Sequence, residues 1–309
     1  MSEKQNIKKF LLQSIVAGSL YGSFALAFGL LAQANVLLLD GSYTLIGVAM
    51  SLITLYVAKY IEKQDFDKFP FGKESLMPLI IFVQYSIVLV ISLYGVMGAV
   101  NTLLHPPLTA NLSVGLFFSL FGTLYCFAFW SRFKNQKNSH PFFKLEMEQW
   151  RFAFFFSLGV FSSFLLSELF SLVGLSAIGR YIDPIFALLI TIAFILKAIQ
   201  ELKKAILELT SATPKKVLRE KLHQLIDSRL QKEDIDSYLL RTAKVGNQLI
   251  VELDVIIQPD SFLDTVTQQD HLRKNLLQLV ETAAADWKLW LNVNFTADVR
   301  WAIGEEKAN

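Results

Sequence analysis

Residues 76–103, LMPLIIFVQYSIVLVISLYGVMGAVNTL, carry no charged side chain from end to end. A run of this kind exceeds the roughly 20 apolar residues that an α-helix needs to cross a bilayer core, and it is far too long for a strand. Backbone surrounded by lipid must satisfy its own N–H and C=O groups, so a lone run of this length crosses as a helix. Outward from it, comparable runs occupy 10–32, 36–58, 112–131, 150–173 and 183–202, which predicts six spans. Ala32-Gln33-Ala34-Asn35 is the polar break between the first two. Pro106-Pro107 separates the third from the fourth. Asp183-Pro184 is expected to open the sixth helix, where a missing N–H does no harm. Gly18 and Gly22, a GxxxG pair in the first span, read as a face that lets another helix approach.

Composition agrees with a chain in two solvents. Of 309 residues, 53% are hydrophobic and only 18% charged, against roughly 25% charge in a soluble domain. Mean hydropathy is +0.42. Apolar runs fill the first two-thirds, while Lys, Asp, Glu and Gln crowd in after about residue 197. A net charge of +2 gives no sign of nucleic acid as a partner. The single cysteine, Cys126, sits in an apolar run and cannot form an intramolecular disulfide. The first run is long and lacks a cleavage site leading into polar sequence, so no cleavable signal peptide is expected.

Orientation follows from the basic residues of the short loops. Lys4, Lys8 and Lys9 precede the first span, and Lys59, Lys63, Lys68 and Lys73 join the second to the third. Arg132, Lys134, Lys137 and Lys144 join the fourth to the fifth, and Lys203 and Lys204 follow the sixth. Of the opposite loops, Arg180 alone stands out. Both termini are therefore expected in the cytoplasm, of a bacterial cell whose inner membrane the six spans would cross.

The texture changes after Thr213-Pro214. Val217, Leu218, Leu222, Leu225, Ile226 and Leu230 recur at helical spacing among charges. Ser237–Lys244 and Leu249–Ile257 read as strands about a Val245-Gly246-Asn247-Gln248 turn. Thr265–Ala285 reads as a helix. Trp287, Leu289, Leu291, Val293 and Phe295 then alternate as a strand with one buried face. The expected fold class is an α-helical membrane protein: a six-transmembrane-helix bundle over 1–210, followed by a small cytoplasmic α+β domain over 211–309, α-β-β-α-β and ferredoxin-like.

Four segments in order, on the matching spans, carry a resemblance. Leu38-Leu39-Asp40-Gly41-Ser42-Tyr43 enters span two, and Phe69-Pro70-Phe71-Gly72-Lys73-Glu74-Ser75 follows it. Lys144-Leu145-Glu146-Met147-Glu148-Gln149-Trp150, with Ser157 beyond, opens span five, and Asp183-Pro184-Ile185-Phe186-Ala187-Leu188 opens span six. Together they resemble the cation diffusion facilitator family, divalent-metal/proton antiporters with six spans and a cytoplasmic dimerisation domain. The resemblance implies a tetrahedral transport site, with two ligands four apart on span two and a His and an Asp four apart on span five. Such spacing puts each pair on one helical face, and nitrogen and oxygen ligands at about 2.0–2.2 Å suit zinc-like ions.

Carried onto this chain, the four positions fall on Tyr43 and Gly47, and on Gln149 and Ala153. None is a carboxylate or an imidazole. No histidine lies inside a predicted span, and Phe69 and Lys73 replace the family's loop histidines. Asn294, Thr296 and Gln268 stand where the family often has metal-binding residues in its cytoplasmic domain. The metal-site candidates are accordingly Asp40, Tyr43, Glu146 and Gln149.

Asp40 is either a functional carboxylate within a span or an ordinary first-turn carboxylate near the interface. Glu146 shares a face with Gln149, three residues on. Asp40 lies outward of the site and Glu146 inward, about 10 Å apart, so they flank a path rather than share an ion. Tyr43 and Gln149, being neutral, bind a hard cation only weakly and otherwise read as polar packing. Asp65 and Asp67 alternate with Lys63 and Lys68 as a solvated run, and Glu252 and Asp254 share a strand face that reads as exposed.

Two function classes stand: a cation transporter of the efflux type, exporting a divalent cation by alternating access with possible proton coupling, or a non-transporting partner subunit on the same scaffold. An embedded enzyme lacks a nucleophile–base pair. No bound cofactor is expected. The expected partners are the bilayer, the transported cation, and a second subunit, as homodimer or heterodimer through the cytoplasmic domain.

Overall fold

The computed structural model describes residues 3–32, 35–63, 65, 67–105, 112–135, 141–214, 216–258, 260–285 and 287–303. Six long helices come first: α1 (Glu3–Ala32), α2 (Asn35–Glu62), α3 (Leu76–Leu104), α4 (Leu112–Phe133), α5 (Pro141–Leu172) and α6 (Ser176–Leu209). Each holds a stretch long and apolar enough to cross a membrane, from Lys9–Leu31 to Ala177–Leu209. The chain is a multi-pass membrane protein. Large apolar side chains such as Leu20, Tyr56, Tyr94, Phe117, Leu172 and Leu196 stand exposed along the six helices, the surface that lipid covers. The breaks expected at Gln33-Ala34 and Pro106-Pro107 lie outside the described residues.

Two helix pairs and a crossing between them make the first unit. α1 meets α2 along the face that Gly18 and Gly22 predicted: a Cβ on Gly22 would stand 2.9 Å from Leu45 Cγ. From the other side, one on Gly41 would stand 2.7 Å from the backbone nitrogen of Leu26. α4 meets α5 where Gly115 lies under the Phe164 ring. Between the pairs, Tyr21, Leu37, Phe118, Cys126, Trp150, Phe156 and Val160 form a common core. α3 and α6 lie against this four-helix bundle through side chains: Tyr85, Val88 and Ala198 cluster with Tyr43 and Ile46.

The start of the sixth helix corrects the sequence reading. α6 begins at Ser176, so Pro184 sits inside it rather than at its first turn. The turn before it is set by Gly174, whose φ of 80° no side chain tolerates well. Leu175 N bonds back to Phe170 O at 2.8 Å and closes α5 in a Schellman turn. α5 likewise starts at Pro141, nine residues ahead of the apolar run that announced it.

The second unit comprises Lys73–Pro78 with Ile206–Asn309. It contains α7 (Lys216–Leu230), β1 (Ile235–Val245), β2 (Gln248–Ile257), α8 (Val266–Ala283), β3 (Lys288–Thr296) and the short α9 (Arg300–Ile303). The three-stranded sheet has the order β1-β2-β3, β1–β2 antiparallel and β2–β3 parallel. Gly246, with φ 57°, takes the first central position of the β1–β2 turn, where positive φ is required. Leu249, Val251, Leu253 and Val255 of β2 meet Leu222 and Ile226 of α7 and Leu272, Leu276 and Val280 of α8 in one core. Thr265 caps α8 in a capping box with Gln268.

The opposite sheet face is not the solvated one the period-two pattern suggested. Asp254 is 3% exposed, bonded through Oδ2 to Arg241 and through Oδ1 to Asn294 Nδ2 at 2.9 Å. Arg241 also reaches Ala302 O at 2.8 Å and stands 3.6 Å from Glu252. A guanidinium fills this face with charge of its own.

Candidate functional site

Asp40 lies in the second turn of α2, three residues into the span Leu37–Ile61, and is 1% exposed, enclosed by neighbouring helices. Burying a carboxylate without hydrogen bonds is costly, and α1 supplies the remedy. Tyr21 donates its hydroxyl to Asp40 Oδ2. The same hydroxyl lies 3.2 Å from Ser157 Oγ on α5, which accepts from Thr123 Oγ1 of α4 at 3.4 Å. Four helices thus meet at one carboxylate.

Glu146 on α5 is the second buried acid, 6% exposed. Ser14 of α1 donates to Oε1, and Ser51 of α2 donates to Oε2 at 2.9 Å. Trp150, one turn along α5, donates Nε1 to Ser14 Oγ at 2.6 Å and fixes that serine. Glu148, two residues from Glu146, faces outward and pairs with Arg151 at 2.5 Å. Helical spacing separates the two acids, and only Glu146 belongs to the interior.

A cavity of about 40 Å³ lies between α1, α2 and α5. Tyr43, Gly47, Gln149 and Ala153, the positions to which the resemblance assigns transport ligands, all border it. So do Glu146 and Ser14 at one place and Tyr21 at another. Gln149 Oε1 lies where a Cβ on Gly47 would be 3.4 Å away, so the amide reaches across to α2. Thr44 borders the cavity as well, and its Oγ1 is buried without a hydrogen-bond partner. Tyr43 packs its ring on Phe194, centroids 4.5 Å apart, and on Phe152. Asp40 itself does not line the space; Tyr21 stands at its wall.

Of the four candidate residues, then, Tyr43, Glu146 and Gln149 share the cavity, while Asp40 reaches it through Tyr21. Sequence reasoning missed Ser14, Tyr21, Thr44, Ser51 and Trp150. A signal existed: Ser14, Gly18 and Tyr21 recur at i, i+4 and i+7 on one face of α1. Elsewhere, Asp183 of α6 and Ser163 of α5 are buried facing each other. Among the described residues there is no group of three or more His, Cys, Asp or Glu able to hold a metal. The second unit's expected metal positions are engaged internally, Gln268 in its cap, Asn294 on Asp254, and Thr296 Oγ1 bonded 3.0 Å from Asp298 O.

Six spanning helices, three of which enclose a cavity with a buried carboxylate at its wall, define a multi-pass membrane protein with an internal polar site. The chain belongs to the cation efflux family: the family's transmembrane-domain model matches residues 11–210. That membership makes it a cation transporter of the efflux type. A comparison with curated proteins gives no match.

Proposed function

We propose that the chain moves a cation out of the cytoplasm by alternating access, and that the cation pauses in the cavity between α1, α2 and α5. The observation that carries this reading is the convergence of Tyr43, Gly47, Gln149 and Ala153 on one cavity with a buried carboxylate, Glu146, at its wall. Glu146 serves the inner side of the path and Asp40 the outer side, each held by hydroxyl donors that a passing cation replaces. Proton exchange is the coupling that the resemblance implies. Both termini then lie in the cytoplasm of a bacterial cell, as the basic loops suggest. The sheet face bearing Trp290, 39% exposed, offers an aromatic surface for a homodimer or heterodimer. The resemblance also implies a divalent cation; the charge on the cavity wall argues for a different valence.

Flux in proteoliposomes tests the path. Asp40→Asn and Glu146→Gln are each expected to lower cation flux at least about tenfold, a loss of roughly 1.4 kcal/mol or more. Tyr43→Phe is expected to keep most of it. Full flux through both carboxylate variants would remove them from the path. A second reading, a non-transporting partner subunit, draws on the absence of carboxylate and imidazole from all four ligand positions. It takes over if the parent moves no monovalent or divalent cation.

A further inference from the structure

The cavity wall has an unusual charge for a divalent-cation site. Among the described residues lining it, Glu146 is the only ionisable carboxylate, and no Lys or Arg lines it. Asp40 is set back behind Tyr21 and takes that phenol's hydrogen bond. Glu201 of α6 is paired with Lys204 at 2.7 Å and lines no part of the cavity. The other polar groups are neutral: the Gln149 amide, the partnerless Thr44 Oγ1, the hydroxyls of Ser14, Tyr21 and Tyr43, and the Trp150 indole N–H, which Ser14 takes up. Neither imidazole nor thiolate is present. Two serine hydrogen bonds leave the Glu146 carboxylate with acceptor capacity, because its oxygens offer about four lone-pair sites.

Charge and chemistry then select the guest. A doubly charged ion here exceeds the charge of the wall's one carboxylate and leaves the balance to Asp40, set back behind Tyr21, which carries a larger solvation penalty. Glu146 alone balances a singly charged ion. The ligand atoms this wall offers are oxygens, set among apolar side chains; they suit hard cations and give zinc-like ions neither the imidazole nor the thiolate they favour. Space agrees: the cavity exceeds the roughly 10–15 Å³ needed to admit one water, and its 40 Å³ admits a small cation with a water or two.

We propose that this cavity binds a singly charged hard cation of the sodium class, with Glu146 as its counter-charge and Thr44 Oγ1 and Gln149 Oε1 as neutral ligands. The inference rests on the cavity being the transport site and adds the valence of its cargo.

Trp150 borders the cavity and supplies the readout. The full chain in nanodiscs, in choline chloride at constant ionic strength, is titrated with NaCl, KCl, MgCl₂, MnCl₂ and ZnCl₂ while tryptophan fluorescence and the thermal midpoint are followed. Sodium is expected to give a saturable change in both, which Glu146→Gln abolishes. Thr44→Val, which removes one oxygen and keeps the shape, is expected to raise the half-saturating sodium concentration roughly tenfold. It keeps the proposal testable should Glu146→Gln not fold. A saturable response to a divalent ion, with sodium no different from choline, overturns the valence and leaves the cavity as the site. A sodium response unchanged in both variants moves the ion elsewhere. Silence towards all five ions, in protein that still carries flux, overturns the cavity reading itself.

Discussion

Tyr21 is the residue on which the outer half of the site depends. Its hydroxyl holds Asp40, and its own place is held by the absence of a side chain at Gly122 of α4. A Cβ there would stand 2.6 Å from Tyr21 Oη and 2.9 Å from Ser157 Oγ. Neither atom has a free direction in which to retreat, since both are bonded within the same buried group. Alanine is the better helix former by about 1 kcal/mol. Gly122→Ala should nevertheless lower the melting temperature and reduce flux, and Tyr21→Phe is expected to reduce flux likewise. A hydrogen bond to a charged group is worth about 1.5–3 kcal/mol, enough to outweigh the helix gain. A Gly122→Ala protein that is both more stable and fully active would refute this account.

At the scale of elements, α9 has a titratable fastening. Asp298 accepts from Arg300 N at 2.9 Å through Oδ1, and Arg300 Nε and Nη2 reach the same carboxylate. The Arg300 side chain foremost, then its backbone N–H, hold the Asp298 carboxyl below its ordinary 3.8. A lowered value in the folded chain means the fastening is complete above 3.8 and is lost as pH falls through the lower value. Amide protection of residues 300–303 should therefore drop only below pH 3.8, once the intrinsic pH dependence of exchange is removed. Asp298→Ala should show low protection throughout, and a midpoint at or above 3.8 in the parent would contradict the mechanism. This helix was invisible in the sequence. Four residues after a strand carry no period, and α9 exists because Arg241 reaches Ala302 O from another strand. The long elements were legible for the opposite reason: a span must satisfy its own backbone, so composition alone reveals it. The start of α6 was misread because Pro announced a boundary that Gly174 had already set.

Across the whole molecule, the positions that the resemblance implies border one cavity, but no local pattern revealed the groups that hold its carboxylate. Spacing of i, i+4 puts Tyr43 and Gly47 on one face of α2 and Gln149 and Ala153 on one face of α5, and both faces border the cavity. The hydroxyls that hold Glu146 come from residues more than ninety positions away, Ser14 and Ser51, and no local pattern joins them. Topology is the global expectation still open to test. The basic loops put both ends inside, so a cysteine introduced at Leu108, between the third and fourth spans, should react with an impermeant thiol reagent from outside. Cys126 is buried and gives little background. Labelling at 108 from the cytoplasmic side alone would invert the molecule.

The order of partners along the chain bears on how the protein enters its membrane. Asp40 would be a burden to α2 inserted alone, though less than the roughly 2.5–3.5 kcal/mol of a carboxylate at a helix centre. Its donor, Tyr21, lies on α1, the span that a ribosome completes just before. Glu146 on α5 likewise finds Ser14 and Ser51 on helices already made. Each of these two acids emerges from synthesis with its donors waiting, so α1 and α2 can enter lipid as a sealed hairpin along their glycine seam, and α5 can enter against them.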